Sequence, residues 1–386
     1  MKLLLLSTEF PPGPGGIGTL AYQIAFYLAK DNWQITVATP QDHVRLPEIE
    51  QFNVRQPFRI VRLPHVGPML MEGLYRLIKV TKLINRHRPD IILAIGKQAL
   101  YLGGMINLIT TIPLVVIGSG SEFIKRNPLD SALIRWTFGR ARASVAISRY
   151  TSHLMASMGI DVSQTTVIYP GADDAVYKTG LSTEKLQTQL GLDRAKIILT
   201  VGHVSHRKAQ DVVIKALPML LEHHPNLHYV IAGLPTQRDQ LEALAAALGV
   251  QDHVTFLGKV AQEELPYLYT LADVFVLVSR STGDQVEGYG IVAVEAALCG
   301  TPAVVSSGCG LEEAVIEGET AFVVAPDDPT ATADAVSKLL TDDGLHERMA
   351  VRAQHYAYNN ATWSKRIKEY DILLRQLLSK IEKCVS

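Results

Sequence analysis

Short apolar runs recur along the chain at Leu3–Leu6, Ile35–Thr39, Ile91–Ile95, Leu114–Ile117, Ser144–Ile147, Ile197–Val201, Tyr229–Ala232, Val254–Phe256, Val274–Val278 and Ala303–Ser306. Apolarity that is continuous rather than alternating marks strands covered on both faces, as in parallel sheets. Between these runs, Ile17–Ala29, Leu70–His87, Gln210–Glu222, Thr236–Leu248 and Val292–Leu298 space their apolar residues at a period near 3.6 and are expected to be helices. The alternation predicts an α/β chain of two doubly wound units. The rhythm pauses after Tyr169-Pro170-Gly171-Ala172-Asp173-Asp174, where Val176–Gln189 is polar, and restarts at Ile197. A domain boundary near Tyr177 follows, separating residues 1–177 from residues 178–362. In the last segment, 363–386, Trp363, Ile367, Tyr370, Leu373 and Leu377 recur every three or four residues with no strand after them. That pattern predicts a long amphipathic helix packing back across the domains. The chain lacks a Pro-rich linker or low-complexity tract, so two docked domains with a cleft between them are expected.

A length of 386 residues, 47% hydrophobic and 19% charged, suits two globular cores rather than one. Lys+Arg 37 against Asp+Glu 38 gives a net charge of −1, which excludes a uniformly basic nucleic-acid binder. The total conceals an asymmetry: residues 1–180 carry 19 Lys+Arg and 12 Asp+Glu, and residues 181–386 carry 18 and 26. Cys299, Cys309 and Cys384 form no C-x-x-C pair, so neither a disulfide framework nor a zinc site is expected. The run Met1–Leu6 stops at Ser7-Thr8-Glu9, too short for a leader, and reads as a first buried strand. The sparse cysteines fit a reducing cytosol, so a cytoplasmic location is expected, and with no stretch of about 18–20 apolar residues no membrane span is expected.

Three segments carry candidate chemistry. Gly13-Pro14-Gly15-Gly16-Ile17-Gly18 lies between the first strand and a helix, where glycines let the backbone approach an anion at a helix N-terminus. It matches G-x-G-x-x-G, but a dinucleotide fold wants an acid ending the second strand, and Ala38-Thr39-Pro40 stands there instead. Gly202-His203-Val204-Ser205-His206-Arg207-Lys208 places two fixed cations just past a strand C-terminus, which suits a diphosphate as well as it suits solvated surface charge. Asp284-Gln285-Val286-Glu287-Gly288-Tyr289-Gly290-Ile291-Val292-Ala293-Val294-Glu295-Ala296 sets Glu287 before a helix and Glu295 inside its apolar run. An acid at a helix N-terminus is often only a dipole partner. One facing a core needs a hydrogen-bond donor, and sugar hydroxyls are natural ones.

Glu287 and Glu295 form E-x(7)-E, and they follow the Gly15-Gly16 loop, the Arg207-Lys208 loop and Phe256-Leu257-Gly258, with Cys299-Gly300-Thr301-Pro302 after them. In this order the motifs resemble family four glycosyltransferases of the GT-B fold, over nearly the whole chain. Arg207-Lys208-Ala209-Gln210-Asp211 and Asp284–Gly290 resemble the phosphatidylinositol mannosyltransferase-like branch. The resemblance implies two Rossmann-like domains, an acceptor-binding one first and a nucleotide-sugar-binding one second. It also implies retaining transfer of a hexose from GDP-mannose or a UDP-hexose to a lipid or saccharide hydroxyl, with no metal or other cofactor. Gly15 and Gly16 would approach the diphosphate, and Lys208 with Arg207 would neutralise the leaving group. Glu287 would hold sugar hydroxyls, Glu295 the ribose, and Gly290 and Ile291 would offer N–H groups to phosphate. Gly202, His203, Gly288 and Tyr289 complete the donor loops, and the base would lie near Lys259 and Val260.

Two departures from the family pattern stand out. Where relatives have H-G-x-E, this chain has Ser119-Gly120-Ser121-Glu122, so Ser119 enters the catalytic set with a hydroxyl in place of an imidazole. His203 replaces the Arg that usually follows the phosphate-loop glycine, and it is cationic only below its pKa, ~6.5 when unperturbed. These departures keep two alternatives open: a nucleotide-sugar-binding protein that has lost transferase chemistry, and a GT-B sugar-nucleotide epimerase. In the basic half, Arg76, Lys79, Lys82 and Arg86 recur along 70–88, with Leu70, Leu74, Leu77, Ile78 and Ile84 on the other face. Such a helix suits an anionic membrane surface, peripherally at its inner face, or a solvated helix covering the sheet.

Overall fold

The computed structural model describes residues 1–13, 15–40, 45–124 and 127–385, with the side chains of 69, 70 and 381–385 excepted. Pro14 and the side chains of Leu70 and Cys384 therefore lie outside the described residues. The chain forms two compact units, Met1–Tyr169 together with Trp363–Ser386, and Pro170–Thr362.

The first unit is built on a seven-stranded parallel sheet, β1 (Lys2–Ser7), β2 (Gln34–Pro40), β3 (Arg59–Leu63), β4 (Ile91–Ile95), β5 (Leu114–Gly118), β6 (Ala143–Ala146) and β7 (Thr165–Val167), in the order β3-β2-β1-β4-β5-β6-β7. Leu3 pairs with Ile35 on one side and Ile91 on the other, so β1 is central and its run Leu3–Leu6 is buried. Leu4, Leu6, Ile92, Ala94 and Val116 face helices that contribute Val80, Leu100, Ile106, Ile134 and Phe138 to one core. β3 and β7 escape the apolar-run criterion because they are the edges: Arg59 and Arg62 interrupt one, and the other is three residues long. The order reverses beside β1, where open α/β sheets bind ligands, and the Gly15-Gly16 turn into helix Gly16–Lys30 follows there.

The C-terminal helix, Trp363–Val385, belongs to this first unit. Trp363 stacks on Tyr27 with ring centres 6.3 Å apart, and Asp371 accepts the indole N–H of Trp33 at 2.7 Å. Ile367, Tyr370, Leu374 and Leu377 are buried, so Leu374 takes the inward position expected of Leu373. Helix Met69–His87 departs further from expectation. Arg76 is buried, ion-paired with Glu72 and donating to Gln98 Oε1 at 2.6 Å, so it is no part of a basic surface. Ile84 packs inward with Val80 and Leu83, while Met71, Leu74 and Ile78 are exposed beside Lys79 and Lys82.

The second unit carries β8 (Lys196–Val201), β9 (Leu227–Ala232), β10 (Val254–Gly258), β11 (Val274–Leu277), β12 (Ala303–Ser306) and β13 (Ala321–Val324), all parallel, in the order β10-β9-β8-β11-β12-β13. Its order reverses between β8 and β11, and the two cation- and acid-bearing loops leave the ends of these strands. The units divide at Tyr169–Pro170 rather than at Tyr177, because Tyr177 is buried against Tyr269, ring centres 5.9 Å apart, inside the second unit. Helix Asp343–Asn360 gives a faint sequence signal, since it buries one Met and two Ala, Met349, Ala353 and Ala357. With the division where the structure puts it, the first unit holds 24 Lys+Arg and 13 Asp+Glu and the second 13 and 25, so the charges are +11 and −12. Among the described residues no helix is long and apolar enough to cross a membrane.

Candidate functional site

β8 ends at Val201, and Gly202 follows at φ 144, a conformation that suits glycine. A Cβ there would stand 3.2 Å from Lys208 Cε, so the bare backbone lets the lysine side chain lie against it. The loop curls into a short turn at His206–Lys208 that ends with Ala209 in the left-handed region at φ 55. Lys208, 8% exposed, donates to Glu287 Oε2 at 2.6 Å. Arg207 Nη1 donates to the same oxygen at 2.6 Å, and Ser279 Oγ reaches it at 3.4 Å. Burial pushes the Glu287 carboxyl upward, but Lys208 and Arg207 together outweigh burial and hold it below the usual carboxylate value. The cluster thus has two cations on one ionised carboxylate.

Arg280, which sequence reading missed, fixes the loop that presents those cations. Its main-chain N–H donates to Arg207 O at 2.8 Å, and its guanidinium reaches His206 O at 3.2 Å and Asp211 Oδ1 and Oδ2 at 2.8 and 3.0 Å. Its Nε pairs with Asp327 Oδ1 at 2.5 Å. A buried guanidinium with partners from three segments has little freedom to move, and neither does the turn it holds. The available signal was an Arg two residues past the apolar run Val274–Val278. His203 sits at the rim with Nε2 against Thr236 Oγ1, and burial, then Arg207 and Lys208, lower its pKa below 6.5. It is neutral at pH 7 and adds no third cation.

Glu295 lies in helix Ile291–Leu298, which Gly290 opens at φ 82. Its partners are tyrosines: Tyr269 Oη donates to Oε2 at 2.8 Å, and the Tyr177 hydroxyl is a second donor. Burial raises its pKa to about 7 against the opposing pull of these two hydroxyls and Lys208. Upstream, Tyr289 is buried, and the Glu287 carbonyl accepts Gly310 N–H at 2.9 Å. Lys259 and Val260 follow β10, two strands from β8, where Gly258 O accepts Gly233 N–H at 2.8 Å. The structure therefore gathers Gly202, His203, Arg207, Lys208, Glu287, Gly288–Ile291 and Glu295 about one strand switch point, with Lys259 and Val260 farther along the same edge.

Gly15, Gly16 and Ser119 belong to the first unit. Gly15 caps helix Gly16–Lys30 at φ 144, and a Cβ there would stand 2.0 Å from Glu9 Oε2, so the glycine leaves room for a carboxylate at the turn. Ser119 follows β5, and its N–H and Oγ–H both donate to Glu122, at 2.6 Å and at 2.9–3.0 Å. Burial raises the Glu122 carboxyl despite those bonds. Among the described residues no group of three or more His, Cys, Asp or Glu side chains is placed to hold a metal ion.

Glu295 generates a prediction independent of any ligand. Its folded pKa near 7 exceeds the ordinary value near 4.5, so the native state binds the proton more tightly and wild-type stability falls as pH rises from about 4.5 to 7. Glu295→Gln keeps an acceptor for Tyr269 and removes the titration. Its melting temperature, relative to wild type, should climb between pH 5 and 8; a difference flat with pH would contradict a buried carboxyl there.

Residues 14–176 match the family model described as Glycosyltransferase Family 4, and residues 182–356 match Glycosyl transferases group 1. A GDP-mannose-dependent alpha-(1-6)-phosphatidylinositol monomannoside mannosyltransferase of Mycolicibacterium smegmatis is 28% identical over 369 residues, 94% of this chain and 96% of the relative. An uncharacterised glycosyltransferase of Methanocaldococcus jannaschii is 29% identical over 384 residues, 96% of each. The crystal structure of Anabaena Alr3699/HepE in complex with UDP and glucose superposes with a TM-score of 0.84 at 24% identity, covering 97% of this chain and 100% of that one. The two matched segments, the two doubly wound units and full-length likeness to such enzymes agree: the chain belongs to the family 4 glycosyltransferases and has the GT-B fold.

Proposed function

We propose that this protein is a retaining hexosyltransferase that takes GDP-mannose, or failing that a UDP-hexose, and glycosylates a hydroxyl of a lipid or saccharide without a metal. The observation that carries the reading is that buried Lys208 and half-buried Arg207 share Glu287 at the β8–β11 switch point. When a glycosidic bond to a nucleoside diphosphate breaks, negative charge grows on the leaving phosphate, and fixed cations aimed there are the largest catalytic contribution to expect. Lys208 and Arg207 meet that charge, Glu287 accepts from hydroxyls of the donor sugar, and Glu295 accepts from the ribose. Gly290 and Ile291 offer N–H groups at a helix start, and Lys259 and Val260 flank the base; in the first unit, Gly15 and Gly16 leave the backbone open to an anion at a helix N-terminus. The preference for GDP-mannose rests on the named activity of the mycobacterial relative.

Lys208→Ala and Glu287→Ala should each lower turnover at least about a hundredfold, measured as GDP release from GDP-mannose with acceptor, while circular dichroism stays that of the wild type. Near-normal turnover in both variants would refute the mechanism. A nucleotide panel tests the donor: at 100 times its Kd the true nucleotide adds about 2.7 kcal/mol of stability. GDP and GDP-mannose should raise the melting temperature more than UDP, ADP or their sugars, and a larger shift with UDP-glucose would move the assignment to a UDP-hexose.

A second reading, sugar-nucleotide binding without transfer, is favoured by Ser119 standing where an imidazole is expected and by the neutral His203. Donor binding with no release of GDP under any acceptor would select it.

The exposed Met71, Leu74 and Ile78 with Lys79 and Lys82 support peripheral attachment to an anionic membrane. The protein should sediment with phosphatidylglycerol vesicles at low salt and be released at 0.5 M salt, whereas no binding at low salt would remove the membrane from the reading.

A further inference from the structure

A cavity of about 490 Å³ opens in the first unit at the starting ends of its strands, opposite the edge that carries Gly15 and Ser119. Lys2 at the start of β1, Arg59 at the start of β3, and Arg86 and His87 at the end of helix Met69–His87 line its rim. Phe58 and Leu83 are among the apolar residues of its floor. No Asp or Glu is among its described lining residues; Asp90 accepts the Lys2 main-chain N–H at 2.7 Å from outside it. Arg59 Nη1 donates to His87 Nε2 at 3.0 Å, so the imidazole accepts and steers the guanidinium rather than adding a charge. His87 is held below its ordinary pKa, first by burial and then by Arg59, Arg86 and Lys2, which marks the positive field these three cations make together.

A helix C-terminus attracts cations by its dipole, which accounts for Arg86 and His87. It does not account for Lys2 and Arg59, which come from two strand starts and converge on the same opening. Three fixed cations, two of them guanidiniums whose fork matches a tetrahedral anion, ask for several negative oxygens in one place. An apolar floor beneath them asks for hydrocarbon attached to that anion.

We propose that this cavity binds the phosphate monoester of an anionic amphiphile, with the phosphate between Lys2, Arg59 and Arg86 and its apolar stem over Phe58 and Leu83. The phosphate has two sources, a lipid headgroup or a soluble phosphate ester. The site is separate from the nucleotide-sugar loops of the second unit, so its occupancy does not depend on the donor assignment.

Titration calorimetry with dihexanoyl phosphatidic acid, below its micelle concentration, tests the proposal on the full chain. Saturable binding at one site per chain is expected, weakened at least tenfold in the double variant R59Q/R86Q. K368Q/K380Q changes exposed charges of the C-terminal helix of the same unit, outside the cavity, and should bind as the wild type does. Glycerol 3-phosphate, which has no hydrocarbon, should bind at least tenfold weaker, assigning a lipid headgroup; equal affinity would overturn the apolar stem and leave a site for soluble phosphate esters. Absence of saturable binding by both ligands, unchanged affinity in R59Q/R86Q, or equal loss in K368Q/K380Q would each overturn the site. A circular dichroism spectrum and a melting temperature of R59Q/R86Q equal to those of the wild type confirm that the variant is folded.

Discussion

The second unit is organised around two cations sharing one buried carboxylate. Lys208 and Arg207 both donate to Glu287 Oε2 at 2.6 Å, in a place where water reaches little of Lys208. Taking these charges out of water is costly, and removing one partner of such a pair typically costs about 3–5 kcal/mol because the other is stranded. The surroundings are shaped by that constraint. Gly202 leaves space for the lysine stem, Ala209 turns the chain into helix Gln210–His223, and Arg280 ties His206 and Arg207 to Asp211 and Asp327. Arg280 and Asp211 form a second, neighbouring charge pair that keeps the first in register.

Charge at a larger scale acts through the same unit. A domain of net charge −12 repels anions at long range, yet at its strand switch point two cations, Lys208 and Arg207, share a single carboxylate. Screening reduces the distant carboxylates within about 8–10 Å at moderate salt, while the buried cluster is screened far less. The local cations therefore govern what an anion meets on arrival, and the acidic remainder disfavours nonspecific polyanions. In the first unit the imbalance runs the other way. Part of its +11 is concentrated around an opening with no acidic side chain among its described lining.

Much of this was legible in the sequence. Strands buried on both faces announce themselves as unbroken apolar runs, and β1, β4, β8 and β11 are of that kind. Edge strands such as β3 do not, because solvent on one side admits Arg59 and Arg62. Lys208 and Glu287 were legible because each sits in a short glycine-bearing motif whose spacing reflects its loop. Arg280, Tyr177 and Tyr269 were not, since their importance lies in pairings across the fold, Arg280 with Asp211 and Asp327 and the tyrosines with Glu295, that no local period encodes. Arg76 shows the opposite error: helical spacing placed it on a charged stripe, whereas Glu72 one turn earlier and Gln98 on a neighbouring helix satisfy it inside.

The shared carboxylate also bears on how a donor would enter under the proposed function. Glu287 supplies the negative charge that Lys208 and Arg207 require where water reaches them little. A diphosphate brings more negative charge than one carboxylate and offers separate oxygens to the two cations, so it can replace Glu287 as their counterion. Glu287 then needs new donors, since a buried carboxylate stripped of partners is strongly disfavoured. Hydroxyls of a sugar attached to that same diphosphate supply them. Nucleoside diphosphate alone would satisfy the cations and leave the carboxylate wanting, whereas a complete sugar nucleotide satisfies both. Specificity for the intact donor would thus arise from one exchange of hydrogen-bond partners at Glu287 rather than from a separate sugar pocket.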